Sequence, residues 1–285
     1  MRMIRRRQVV NLIAGLFLII GLLLLGLNLY GLTQPLRKPG LGVTDQELLR
    51  FVPDRVWDYE TSLSAIDSLA SIDNDGVLAE QANGVVHQSL VHVEWEAVDP
   101  QAYRQLVPPW ENVFLWAVGR FSGLPQFERY HYAGYRRSIE RGIGICGDAS
   151  IVLSSVLDRY GVDSDIISFR GHVIVEYQNS NGEKRLLDPD FGVAINRPLE
   201  ALKANPELVR PLYLEAGYSP QEINDLIYVY SGEFSIFDDT YGFMAKRYIF
   251  EKVTYVLKWV LPPLLILPAI VLWFWRRRQG RGANG

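Results

Sequence analysis

From Val9 to Leu32 the chain is almost unbroken apolar sequence, interrupted only by Asn11, Asn28 and glycines. At about 1.5 Å of rise per residue a helix of that length crosses a bilayer. Its apolar stretch outlasts the roughly 7–15 residues of a signal peptide, and Leu29 to Lys38 holds no A-x-A-like cleavage site, so a retained anchor is expected. A second apolar run covers 253–275 and contains Pro262, Pro263 and Pro268. Prolines at that density would break a helix in a soluble core, whereas Trp259, Trp273 and Trp275 suit the headgroup region and Lys258 can snorkel toward it. A second membrane span is expected here.

Between the two runs the periodicity is first helical and then alternating. Thr44-Asp45-Gln46-Glu47 has capping-box spacing and predicts a short helix to about Phe51. Ser62 to Ile72 carries Leu63, Ile66 and Leu69 at three-residue intervals, and Val77 to about Trp95 and Asn112 to about Gly123 read as further helices. Asp148 to Tyr160 is the clearest of them, with an apolar face wide enough to predict burial, a Gly161 stop, and Gly142 and Gly144 before it. Strand signals follow at 165–169, 172–177 and 184–188, with a polar turn at 178–183. A helix leading into antiparallel sheet predicts an α+β domain. With the turn centred near Ser180 and Asn181, facing residues have numbers summing to about 360 or 361, which sets His172 across from Asp188 or its neighbour. A slip of one residue would send the two to opposite faces.

Charge then orients the chain. Arg2, Arg5, Arg6 and Arg7 precede the first span, and Arg276, Arg277, Arg278 and Arg281 follow the second, so the positive-inside rule places both termini in the cytoplasm. Setting those eight aside from the 29 Lys and Arg leaves 21, against 32 Asp and Glu that all lie between Asp45 and Glu251. An acidic domain of this kind has no electrostatic footprint for nucleic acid. The expected organisation is a basic N-terminus at 1–8, a span at 9–32, an extracytoplasmic domain at 33–252 with its catalytic core at about 108–195, a span at 253–275 and a basic tail at 276–285. With one cysteine in an outward-facing domain, no intramolecular disulfide is available, and stability must come from a hydrophobic core.

That cysteine is Cys146, in Gly144-Ile145-Cys146-Gly147-Asp148 at the start of the predicted helix. The unpaired N–H groups and positive dipole end there favour a thiolate and can donate to an oxyanion. His172 on the next strand pair is positioned to take the thiol proton, and Asp188 to fix the imidazole tautomer. A thiolate so activated attacks an amide or ester carbonyl and passes through an oxyanion to a thioester, which water or an amine then resolves.

These residues resemble the transglutaminase-like superfamily. Gly144-Ile145-Cys146-Gly147-Asp148 is similar to its G-x-C-x-[DES] nucleophile motif, Gly171-His172-Val173 to its GH strand, and Leu187-Asp188-Pro189 to its Asp-Pro strand end, in the same order and over about 130–192. The resemblance implies a papain-like α+β core, with Cys146 as nucleophile, His172 as general base and acid, Asp188 as orienter, and Trp110 as a candidate for oxyanion support. Gly147 replaces the Trp that follows the nucleophile in protein-crosslinking transglutaminases, and no EF-hand-like calcium loop is present, so a protease-like or amidase-like enzyme acting on peptide or protein substrates is the closer expectation. No cofactor or metal is expected. Papain's C-G-S-C-[WY] signature is missing, and the R-G-G-x-C pattern of arylamine acetyltransferases is only partly met. The competing class is a domain that keeps the fold without catalysis, for binding or scaffolding in an envelope or polysaccharide-assembly complex.

Other residues carry no assigned step in the chemistry. Asp148 complements the helix dipole, and Glu176 shares the strand face of His172. His87, His92, Glu94 and Glu96 lack the H-E-x-x-H zinc spacing and are assigned to surface or core. Tyr130, Tyr132 and Tyr135 either line a cleft or pack.

Overall fold

The structure, a computed structural model, describes residues 2–42 and 45–282. The chain divides into two compact units: the N-terminal segment through Gln34 with Leu106–Glu128 and the segment from Phe250 onward, and a second made of Pro35–Gln105 and Arg129–Ile249. Residues 108–128, expected within the catalytic core, thus group with both apolar helices.

The first unit contains helix Arg2–Gly31 and, from Phe250 onward, helix Lys246–Gly282. Gln8–Gly31 and Lys246–Arg276 are long and apolar enough to span a membrane, with mean hydropathies of 2.7 and 2.0. Their apolar side chains point outward rather than into a core, as with Leu12, 75 % exposed, and Leu23, 68 % exposed. The second helix runs through Pro262, Pro263 and Pro268 without a break. Pro262 has no N–H for the carbonyl of Lys258 one turn earlier, and the Asn28 side-chain amide donates to that carbonyl instead. Nearby Gly21 lets the helices approach closely: a Cβ there would stand 2.8 Å from Ile266 Cγ1. The Leu106–Glu128 segment joins them through Tyr255 Oη donating to Glu111 Oε1 at 2.6 Å and Asn112 Nδ2 donating to Thr254 Oγ1 at 3.2 Å.

The second unit is mixed α+β. A small sheet has the order β1 (Leu49–Arg50), β2 (Val91–Val93), β3 (Ile143–Gly144), with β1 antiparallel and β3 parallel to β2. A larger antiparallel sheet comprises β4 (Ser164–Phe169), β5 (His172–Gln178), β6 (Lys184–Asp188), β7 (Val193–Ala194) and β8 (Phe234–Phe237), ordered β7-β6-β5-β4-β8. Alternation along these strands feeds two cores. Val175, Tyr177 and Leu187 face the Cys146–Arg159 helix, packing on Val152, Leu153, Val156 and Leu157 and on Leu78, Ala82 and Val86 of helix Asp75–Ser89. Ile174, Leu186, Ile167 and Phe169 face the other way, against Tyr213, Leu226 and Tyr230. With both faces covered, the central strands carry hydrophobic residues at adjacent positions, Ile166-Ile167, Val173-Ile174-Val175 and Leu186-Leu187.

Several expected elements shift. The helix predicted over Val77–Trp95 ends at Ser89, because β-branched Val91 and Val93 pair as β2 between β1 and β3. The helix predicted near Phe51 is a single 3₁₀ turn, Gln46–Leu48, capped by Asp45 and followed at once by β1; Thr44, the expected cap, lies outside the described residues. The Ser62–Ile72 helix begins earlier, at Tyr59, because the Asp58 carboxylate accepts from Thr61 N at 2.7 Å and starts it there. The helix from Val113 to Phe121 follows the expectation, with the Asn112 side chain accepting from Phe114 and Leu115 N.

Candidate active site

Three short pieces of backbone place Cys146. Helix Tyr135–Arg141 stops at Gly142, which takes φ 79° with little steric cost; β3 then extends the chain, and Ile145 turns it so that Cys146 is the first residue of the next helix. Gly144 is required by crowding, since a Cβ there would come within 2.6 Å of Asp148 Cβ. Asp148, fully buried, clamps the turn by accepting from Ile145 N at 3.1 Å, from Arg141 Nη2 at 3.2 Å and from His131 Nδ1 at 2.8 Å. Burial works against its ionisation, but His131, Arg141 and the Ile145 N–H outweigh that and hold the carboxyl below its ordinary value. Trp95 stacks on His131 at 4.6 Å, and the Arg141 guanidinium lies 5.0 Å from both the Trp95 and Tyr132 rings. The structural role expected of Asp148 is therefore specific: it sets the position of the Cys146 backbone.

The β5–β6 register differs by a small step from expectation. Glu176 faces Leu186 and Gln178 faces Lys184, so paired numbers sum to 362. The loop is centred on Asn181, with Asn179 N donating to Glu183 O at 3.0 Å and Gly182 at φ 79°. Continued outward, this register puts Ile174 opposite Asp188, and His172 one diagonal step away on the same face. The diagonal suffices: His172 Nε2 meets Asp188 Oδ2 at 2.8 Å.

Asp188 is fully buried and accepts on both oxygens. Tyr213 Oη at 2.5 Å and Tyr230 Oη at 3.2 Å join His172 on Oδ2, while Asp190 N and Phe191 N donate to Oδ1 at 3.2 and 3.3 Å. Burial disfavours the carboxylate, yet His172 and these donors dominate and keep its pKa below the usual 3.8. For His172 burial disfavours the charged ring, but Asp188 and Cys146 more than offset it, and the pKa stands well above 6.5. Because a carboxylate only accepts, Nε2 carries a proton, which leaves Nδ1 for Cys146.

The Cys146 sulfur, a ring nitrogen of His172 and a carboxylate oxygen of Asp190 lie within 4.8 Å of one another. Cys146, 9 % exposed, opens onto a cavity of about 420 Å³ whose wall includes Arg50, His92, Glu94, His172, Asp190 and Glu222. The structure sets His172 between Asp188, met through Nε2 at 2.8 Å, and Cys146, whose sulfur lies within 4.8 Å of a ring nitrogen. Trp110 belongs to the unit holding the apolar helices, where its carbonyl oxygen lies against Gly31, and is not among the residues lining the cavity. Tyr130 and Tyr132 are buried in edge contact at 5.5 Å, and Tyr135 packs against the core beside the Cys146–Arg159 helix. Glu176 accepts from Leu199 N at 2.7 Å and from Lys184 Nζ at 3.1 Å, a structural role.

Asp190 escaped sequence reasoning, whereas its partner His92, whose Nδ1 lies 2.8 Å from Asp190 Oδ2, was assigned to surface or core on its spacing. His92 and Glu94, expected as plain surface or core residues, line the cavity. Asp190 had only the signal of nearness, two residues beyond Asp188 in the turn that follows β6, where its N–H donates to Asp188 Oδ1 at 3.2 Å. His92 had none, since only the pairing of β2 with β3 carries it to the thiol. No family model, curated protein or solved structure matches this chain.

Proposed function

We propose that this is a membrane-anchored thiol enzyme acting on amide bonds of peptide or protein substrates, in the manner of the transglutaminase-like superfamily it resembles. The observation that carries the reading is the relay of a buried carboxylate, an imidazole with its Nε2 proton committed to that carboxylate, and a thiol at a helix start facing a cavity. Nδ1 of His172 accepts the Cys146 proton, the thiolate attacks the carbonyl carbon, and the oxyanion meets the N–H groups of the first helical turn. The imidazolium returns its proton to the leaving amine, and a thioester remains on Cys146. Water activated by the same imidazole releases the acid; an amine in its place gives transamidation. Two helices long and apolar enough to span a membrane support the anchoring, and the Arg clusters flanking them support an acidic domain outside the cytoplasm.

Cys146→Ala in the full chain should abolish both thiol-probe labelling and amide turnover, and turnover that survived the substitution would end the mechanism. Reporters fused to each terminus should both read cytoplasmic; either one found outside refutes the topology.

A further inference from the structure

We propose that Cys146, His172 and Asp190 also form a binding site for a thiophilic divalent cation, zinc foremost, and that its occupancy blocks the thiol. The block rests on the enzyme reading above; the binding does not. A thiolate, a neutral imidazole and a carboxylate form a donor set suited to zinc, and two anionic donors balance its charge. Tetrahedral zinc with bonds of about 2.0–2.3 Å holds its ligand atoms about 3.3–3.6 Å apart. These three atoms already lie within 4.8 Å of one another, so the site closes by side-chain movements of about 1 Å.

The outer contacts match a metal site as well as a catalytic one. Asp188 holds the Nε2 proton of His172 and turns the Nδ1 lone pair inward. His92 Nδ1, 2.8 Å from Asp190 Oδ2, fixes that carboxylate and leaves Oδ1 for the ion. His87 Nδ1 donates to the Asp190 backbone carbonyl at 3.0 Å and anchors the same residue from behind. The hydrolytic cycle outlined above makes no use of Asp190, His92 or His87, yet Asp190 is 4 % exposed and doubly braced beside the thiol. Three protein ligands facing a cavity leave a fourth position for water. Binding forms bonds from the metal to Sγ, Nδ1 and an Asp190 carboxylate oxygen and releases to solvent the proton shared by Sγ and Nδ1, together with any second proton the pair holds, with no redox change. It occupies both the nucleophile and the lone pair that would activate it.

The test is a Co²⁺ titration of the reduced, metal-free full chain in detergent, followed by displacement with Zn²⁺. One equivalent should produce a near-ultraviolet thiolate-to-cobalt band with tetrahedral visible bands, and Zn²⁺ should remove both. Cys146→Ser should lose the near-ultraviolet band. His92→Gln should weaken Co²⁺ binding about 10–100-fold, and Asp190→Asn by at least as much. Should Asp190→Asn fail to fold in a thermal melt, His92→Gln and Cys146→Ser decide the matter. Cobalt bound without a thiolate band, or affinity indifferent to both the His92 and Asp190 changes, overturns the site. Amide turnover that persists at saturating Zn²⁺ overturns the block. A metal-free protein inert toward amides yet showing the cobalt bands would refute the enzyme reading alone.

Discussion

Asp188→Asn isolates the step on which the relay depends. The carboxylate receives His172 Nε2, Tyr213 Oη and Tyr230 Oη on one oxygen and two backbone N–H groups on the other. An amide of the same shape can keep its oxygen on the backbone N–H groups, which puts its NH₂ toward the other three. Two tyrosine hydroxyls can rotate and accept, as they already bond each other at 2.8 Å. The imidazole cannot keep its proton on Nε2 against a donor, so the proton moves to Nδ1, where it meets Cys146 instead of accepting from it. Loss of the buried counter-charge should cost about 3–5 kcal/mol of stability, the range for breaking one partner of a buried pair. The wrong tautomer should cost about 10⁴-fold in turnover, the scale of the same change in a Ser-His-Asp triad. Nitrogen-15 spectra of the histidines would read the tautomer directly, denaturant titration the stability, and amide hydrolysis the rate. A proton still resident on Nε2 together with turnover within tenfold of wild type would refute the reasoning.

Two further outcomes follow from neighbouring residues. Gly144→Ala forces a Cβ to 2.6 Å from Asp148 Cβ and should destabilise the fold by about 1–3 kcal/mol while displacing Cys146, measured by denaturant titration beside thiol-labelling rate; an unchanged midpoint would show that the turn has room. Asp148 and Asp188 hold folded pKa values below their ordinary 3.8, so the stability they contribute is present above that pH and is lost as pH falls through the folded values. His172 has the opposite sign: its folded pKa lies above 6.5, so its contribution is complete below 6.5 and fades as pH rises through the folded value. Melting curves across pH should therefore decline at both ends, with Asp148→Asn flattening the acid limb and His172→Gln the alkaline one.

What the amino-acid order determined by itself was local. Glycines and an acidic cap placed Cys146 at a helix start, alternation marked β4 to β6, and unbroken apolar runs marked two helices long enough for a membrane. Each of these depends on side chains a few residues apart, where steric preference and hydrophobic period act without help from the rest of the chain. His172 and Asp188 were legible for the same reason, because a short hairpin joins them, and the observed sum of 362 differs from 360 by two, which keeps them on one face where a difference of one would have parted them. The tertiary structure decided what depends on distant segments. Val91–Val93 became a strand only because β1 and β3 flank it, and that pairing brings His92 to Asp190 across 98 positions of sequence. Helices Arg210–Glu215 and Pro220–Ser231 supplied Tyr213 and Tyr230 to a carboxylate whose own neighbours in sequence gave no hint of them. Pairing partners and buried hydrogen bonds of that separation are chosen by how the cores pack, which hydrophobic patterning along one segment does not encode.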